Sequence, residues 1–351
     1  MRYNEHLNSD MKCDDVTEKV LKSLMLQAKA LYWVGERDKA KELYMEKERI
    51  CRESGLHIFY PSGNQETINI LKEEEKIYRD LGLKDSLQEC LKNQARIFYD
   101  MGKLEEAMKL FKEQESICRE VGLKDDLQIC LGNIALTLSS MERLKEALLV
   151  LKEQEQICRD LGSKVDLEYS LRQQAKILYT LGNLQEAMGI LIEQEDICRE
   201  LGLEDYLQVS LGNQAKILQD LGKFEKSMKL YKEQESICRK LGLDEDLALS
   251  FIGQSLLLAR SGNVEEAHRK ARDALCLAEK GGLSQLAQEI REIMDVIELR
   301  ILLNKAVNAA GMHDGSMNNK PFNKKKLKDE NRFKENKKPN LFRWKMRRND
   351  G

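Results

Sequence analysis

The sequence predicts an all-α solenoid, a stack of antiparallel helix pairs with no sheet. Three observations carry this. A 40-residue skeleton returns without a gap at 91–130, 131–170, 171–210 and 211–250, and self-similarity at such a period is the signature of stacked repeats. Proline is absent from 64 to 320, where Leu, Glu, Lys and Ala abound, a composition that favours near-continuous helix. Within each repeat, apolar residues recur at helical spacing and are punctuated by glycine.

The segment 84–122 shows how one unit is built. Asp85 or Ser86 can cap a first helix, along which Leu87, Leu91, Ala95, Phe98 and Met101 form one apolar stripe. Gly102 breaks it. Leu104, Ala107, Met108, Phe111 and Ile117 mark a second helix that stops at Gly122. A helix pair of this kind cannot bury its apolar face alone, and stacked neighbours complete the burial.

The ends of the array differ from its middle. Residues 1–15 read as an N-terminal arm, and the array runs from 16 to 281 in about seven units. In the first unit, Gln27-Ala28-Lys29, Gly35 and Cys51 match Gln94-Ala95-Arg96, Gly102 and Cys118 at a constant offset of 67. That offset is 13 short of two repeats, so the second unit, at 57–81, lacks most of its first helix. His57-Ile58-Phe59-Tyr60 reads as its remnant, Pro61 to Asn64 as a turn, and Ile68 to Leu81 as a normal second helix. At the other end, 282–310 reads as a capping helix with Leu286, Ile290, Ile293, Met294, Ile297 and Ile301 on one face. Residues 311–351 have no helical period and read as a disordered tail.

Charge is distributed unevenly. The tail carries 13 Lys+Arg against 5 Asp+Glu, whereas 1–310 carries 45 against 55. An acidic body with a basic tail is a cue to interaction rather than to fold. The start of the chain has no apolar signal region and no run of 18 apolar residues occurs. The nine cysteines then predict free thiols in a reducing compartment, a cytoplasmic setting.

The helix pair with small residues at fixed places resembles the tetratricopeptide repeat (TPR). In the 211–250 unit, Leu211, Ala215, Leu218, Gly222, Ser227 and Tyr231 match the family's W-x2-L-G-x2-Y…G…A-x3-F skeleton. The resemblance covers about 16–281 and implies a right-handed superhelix whose first helices line a concave, protein-binding groove. This chain departs from the family in three ways. Its period is 40, the late proline is absent, and Gln114, Gln154, Gln194 and Gln234 replace a usual alanine. The long-period style resembles arrays that stand alone or are attached to NACHT-type NTPases, although no phosphate-binding loop G-x4-GK[ST] is present.

On that implied groove, Asn93, Asn133, Gln173 and Asn213 occupy one equivalent position. A side-chain amide both donates and accepts, so such a row can grip a peptide backbone whatever its sequence. Beside it stand Lys92, Arg96, Arg172, Lys176 and Lys216, with Tyr99 and Tyr179. These cations point to a partner segment, extended or helical, of acidic character. The bland alternative is that the amides only bond neighbouring repeats. A likeness to chaperone-tail carboxylate clamps is poor, because Tyr169 and Gln173 stand where basic residues are needed.

Other rows read as structural. One thiol per repeat at Cys118, Cys158, Cys198 and Cys238 is too widely spaced for a disulfide or a zinc site, and suits a small buried residue. The pairs Glu48–Arg52, Glu75–Arg79, Glu115–Arg119, Glu155–Arg159, Glu195–Arg199 and Glu235–Arg239 are i,i+4 helix supports. The Gln114 row predicts a buried polar ladder. No nucleophile–base pair, metal set or phosphate loop is seen, so neither catalysis nor a cofactor is implied. The tail interleaves Lys324, Lys325, Lys326, Lys337, Lys338, Arg343, Lys345, Arg347 and Arg348 with Phe322, Phe333, Phe342 and Trp344. This pattern suits nuclear import, nucleic-acid contact or docking on an acidic surface, or is simply a solvated end.

Overall fold

A computed structural model describes residues 15–54 and 65–309. The described residues form fourteen α-helices and no strand. They divide into two compact units, 1–170 and 171–351. The arm before residue 15, the predicted helix remnant and turn at 57–64, and the basic tail lie outside the described residues.

In the first unit, α1 (Asp15–Trp33) and α2 (Arg37–Ser54) are followed by α3 (Gln65–Leu81). Then come α4 (Lys84–Asp100), α5 (Leu104–Val121), α6 (Lys124–Ser140) and α7 (Leu144–Leu161), with α8 (Lys164–Thr180) beginning here. A single core joins Ala28 and Tyr32 of α1, Tyr44 of α2, Ile68, Leu71, Ile77 and Tyr78 of α3, and Leu87, Cys90 and Leu91 of α4. The short second repeat therefore does not detach the first helix pair. Tyr44 meets Tyr78 edge to face, with ring centroids 5.2 Å apart, and Tyr32 donates to the Asp80 carboxylate.

The same backbone device closes four second helices, at Gly122, Gly162, Gly202 and Gly242. At the end of α5, Gly122 adopts φ 81°, and the amides of Gly122 and Leu123 both donate to the Cys118 carbonyl at 2.9 Å. Left-handed backbone is open to glycine at little cost. The turn inside the α6–α7 pair differs. Glu142 stands at φ 61°, where the matching residues Gly102, Gly182 and Gly222 are glycines with φ 74°, 82° and 76°.

The second unit holds the rest of α8, then α9 (Leu184–Leu201), α10 (Glu204–Asp220), α11 (Phe224–Leu241), α12 (Asp244–Ser261), α13 (Val264–Lys280) and α14 (Ser284–Ala309). Its C-terminal core packs Phe251 and Ile252 of α12 against Ala267, Ala271, Ala274 and Ala278 of α13 and Ala287, Ile290 and Ile297 of α14. Alanines at these places let α12, α13 and α14 approach closely. Leu286, Ile293 and Met294 join the same core at its edge; the side chain of Ile301 is outside the described set.

Repeat-to-repeat hydrogen bonds recur in register. The Cys90 thiol donates to the Leu71 carbonyl and Cys130 to Phe111, each at 3.2 Å. Ser170, Ser210 and Ser250 do the same to Leu151, Leu191 and Tyr231 at 3.0, 3.0 and 2.7 Å. The Gln114 row is a polar ladder. Nε2 of Gln114, Gln154 and Gln234 donates to Oε1 of Gln88, Gln128 and Gln208 at 2.9, 3.4 and 3.1 Å. The Cys118, Cys158 and Cys238 thiols lie on those same acceptor oxygens. Burial pushes the Cys118 and Cys158 thiols up to about 12, so they stay protonated.

The Glu–Arg pairs do more than support single helices. Arg79, Arg119 and Arg199 each hold the glutamate one turn before and also reach Glu113, Glu153 and Glu233 of the following second helix, at 2.6, 2.6 and 2.7 Å. The glutamates are shared in turn, since Gln94, Gln214 and Gln254 donate to Glu75, Glu195 and Glu235. Arg52 is among the residues whose side chain is not described.

Candidate functional site

The predicted binding residues sit on the first helix of each pair. In the first unit, Lys92, Asn93, Arg96 and Tyr99 lie on α4 and Asn133 on α6, all half-buried. In the second, Arg172, Gln173, Lys176 and Tyr179 lie on α8 and Asn213 and Lys216 on α10; only Arg172 is fully buried. A residue at this depth is fixed by packing yet keeps an edge toward solvent, which suits a preformed contact surface.

The electrostatics of the two units differ. In the first, Lys92 is paired with Glu89 at 2.6 Å, and both are largely covered. Asp126, at the start of α6, also faces it. Burial raises the Asp126 carboxyl and the Lys92 charge pulls it back. Tyr99 is tied to the Ser140 hydroxyl at 2.8 Å. Neither Glu89 nor Asp126 belongs to the amide and cation rows read from the sequence. A carboxylate three residues before Lys92 is nonetheless a signal for this pairing on a helix.

In the second unit, burial first and the Arg172 charge second hold the Lys176 ammonium below the ordinary lysine range. Arg172 lies over the Tyr206 ring, 5.4 Å from its centroid. The Asn213 Nδ2 is buried with no acceptor among the described residues. Tyr179 donates to Asp220 at 2.7 Å, and Lys216 reaches the same carboxylate at 3.2 Å. Burial and that hydrogen bond push the Tyr179 phenol above its usual range. Asp220 is the member of this group that the sequence rows missed. It ends α10 one turn after Lys216.

Glycine alternates with the cations at one position, giving Lys92, Gly132, Arg172 and Gly212. A Cβ at Gly132 would stand 2.9 Å from Gln154 Nε2, and at Gly212 2.6 Å from Gln234 Nε2. At those two repeats the ladder amide fills the space beside the missing side chain. The amide rows and the ladder are thus adjacent systems, one facing outward and one inward.

Among the described residues, no group of three or more His, Cys, Asp or Glu is arranged to hold a metal ion, and no helix is long and apolar enough to cross a membrane. The basic tail residues fall outside the described part.

No protein-family model matches the sequence, and no curated protein matches it. Solved structures do. A signal transduction ATPase with numerous domains (STAND) with a tetratricopeptide repeat sensor, from Pyrococcus horikoshii, is similar at a TM-score of 0.55 and 17% identity over 80% of this chain. This chain spans 42% of that protein's length. Aspartyl phosphate phosphatase F from Bacillus subtilis is similar at 0.54 and 13%, over 85% of this chain and 88% of that one. The apo quorum sensor NprR from B. thuringiensis is similar at 0.53 and 14%, over 80% and 82%. At these identities the likeness shows the fold, an all-α array of TPR-like helix pairs.

Proposed function

We propose that the chain is a protein-binding scaffold that holds a segment of a partner, extended or helical and acidic, on its first-helix faces. The observation that carries this is in the second unit. Lys176 is half-buried beside another cation, and Asn213 presents a buried donor with no acceptor. Tyr179 of α8 reaches Asp220 of α10, so the helices that carry Lys176 and Asn213 are neighbours. An incoming carboxylate would relieve the like-charge neighbour and supply the acceptor in one step. That two of the similar folds are named as sensors is in keeping with a recognition role.

Selection of random peptides on the full chain tests this. Selected segments should be rich in Asp and Glu. They should lose at least about tenfold in affinity on Lys176→Gln, roughly the size of one charge-assisted hydrogen bond. A chain ending at 310 should keep them. Peptides that ignore Lys176→Gln and depend on 311–351 would overturn the reading and move binding to the tail. A second reading rests on the likeness to the STAND protein, of which this chain spans less than half. The array would then act as a sensor for an NTPase, and the selected peptide would be a segment of that enzyme.

A further inference from the structure

The helix that closes a repeat array ordinarily turns a polar face to solvent, but α14 does not. Val296, Leu299 and Leu302 are 68%, 69% and 62% exposed. Their spacing of three places them on one side of the helix, away from Ala287, Ile290 and Ile297, which join the core with α12 and α13. One and two turns before Leu299, on the same side, stand Asp295 and Glu292, both exposed. Neither has a hydrogen bond or ion pair among the described residues. Arg291, one turn before Asp295, is held by Glu279 of α13 at 2.6 Å. We propose that this face docks residues 321–326 of the same chain, with Phe322 on the apolar patch and Lys324 and Lys325 on Asp295 and Glu292.

Reach, order and charge select that segment. The helix ends at Ala309, so Leu299 lies ten residues back, about 15 Å along the axis. Phe322 follows Ala309 by 13 residues, and such a stretch spans up to about 45 Å. A chain turning back along α14 therefore reaches the apolar patch with Phe322. Beyond Leu299, Asp295 and Glu292 lie about 6 and 10 Å further along the helix. Extended backbone would set Lys324 and Lys325 about 7 and 10 Å past Phe322. Face and segment thus carry the same order, apolar first and charged second. Their signs are complementary as well, since residues 311–351 carry 13 Lys+Arg against 5 Asp+Glu.

Area separates this occupant from a second copy of the chain. Three largely exposed aliphatic side chains offer on the order of a few hundred Å², below the roughly 800 Å² that each partner gives to a standard interface. A tethered segment needs less, because the connecting residues hold it at a high effective concentration. Docked there, the segment covers the apolar end of the array and occupies its own lysines, which other acidic surfaces would otherwise meet.

Hydrogen exchange of the full chain, read by mass spectrometry, tests this. Backbone amides of 321–327 should exchange at least about tenfold more slowly in the wild type than in Leu299→Asp or Phe322→Ser. Leu299 lies on the surface, so the unfolding midpoint should be kept. If Leu299→Asp lowers it, Phe322→Ser, which lies outside every described helix, decides the matter. Glu292→Lys with Asp295→Lys should also remove the protection, and adding Lys324→Glu with Lys325→Glu should restore it. Protection that is absent from the wild type, or that these variants leave unchanged, overturns the proposal. So does protection that grows with chain concentration, which would place the segment on a second copy. Lys176 takes no part in this docking, so the result is separate from that of the acidic-segment reading.

Discussion

Lys92 on α4 and Lys176 on α8 stand on first helices two repeats apart, yet their surroundings differ. Lys92 is answered by Glu89 at 2.6 Å and has Asp126 in range. One turn beyond Arg172, Lys176 has a second cation as its charged neighbour. The packing residues repeat faithfully in both units, because every helix pair must bury the same stripe against the next. The charges do not repeat. The residues that depart from the repeat therefore give each unit its own charged surroundings.

The largest effect should come from the small residues that set helix spacing. A Cβ at Gly253 in the second unit would lie 2.3–2.6 Å from the Tyr231 ring, which is almost fully buried. Gly253→Ala should destabilise by about 1–3 kcal/mol, the usual range for overpacking. At Gly132 in the first unit, the obstacle is the flexible amide end of Gln154. Gly132→Ala should cost less than about 1 kcal/mol. Urea unfolding of the two variants checks the ordering, and equal losses would mean that the two units pack alike.

The next effect separates the hairpin turns. Glu142 holds a left-handed backbone that matching repeats give to glycine. Glu142→Gly should stabilise the chain by about 1 kcal/mol, and Gly222→Glu in the second unit should destabilise it by a similar amount. A loss of stability on Glu142→Gly, measured by thermal unfolding, would show that the Glu142 side chain contributes more than its backbone costs.

The smallest effect concerns the glutamates between second helices. Burial alone would raise Glu235, but hydrogen bonds from Gln254, Lys270 and Arg239 hold it below the ordinary range. Burial likewise opposes Lys112 and Arg119 at Glu115, and the bases prevail there too. A folded pKa below the unfolded one gives stability that is complete above the unfolded carboxylate range, about 4.3, and is lost as pH falls through the folded value. Glu235→Gln and Glu115→Gln should each cost about 0.2–1 kcal/mol at pH 7 and nothing at the acid end. The Glu235 change should be the larger, since Lys270 adds a third donor. A pH-independent loss would point to packing instead.

Much of the fold was legible without coordinates. Helix pairs, their glycine stops and the buried cysteine row follow from periodicity, because a period of 40 leaves few ways to bury the same stripe in every unit. The offset of 67 between the first unit and the later ones was also legible. Its consequence was not. That α1, α2 and α3 share one core with α4 depends on contacts such as Tyr32–Asp80 and Tyr44–Tyr78, and pairs 34 or 48 residues apart leave no local pattern. The i,i+4 role of the arginines could be read from spacing; their second bond to the following repeat could not.

By itself the sequence determined what repetition encodes: an all-α array, i,i+4 Glu–Arg pairs along its second helices, and rows of amides and cations on the first helices. Periodic burial enforces that much at every unit, so it survives in any single repeat. Only the tertiary structure decided that Asp126 comes within range of Lys92, that Arg172 lies over the Tyr206 ring, and that Arg79, Arg119 and Arg199 reach the following second helix. Those outcomes depend on side chains from different helices arriving within a few ångströms of one another, a distance that no spacing along the chain specifies.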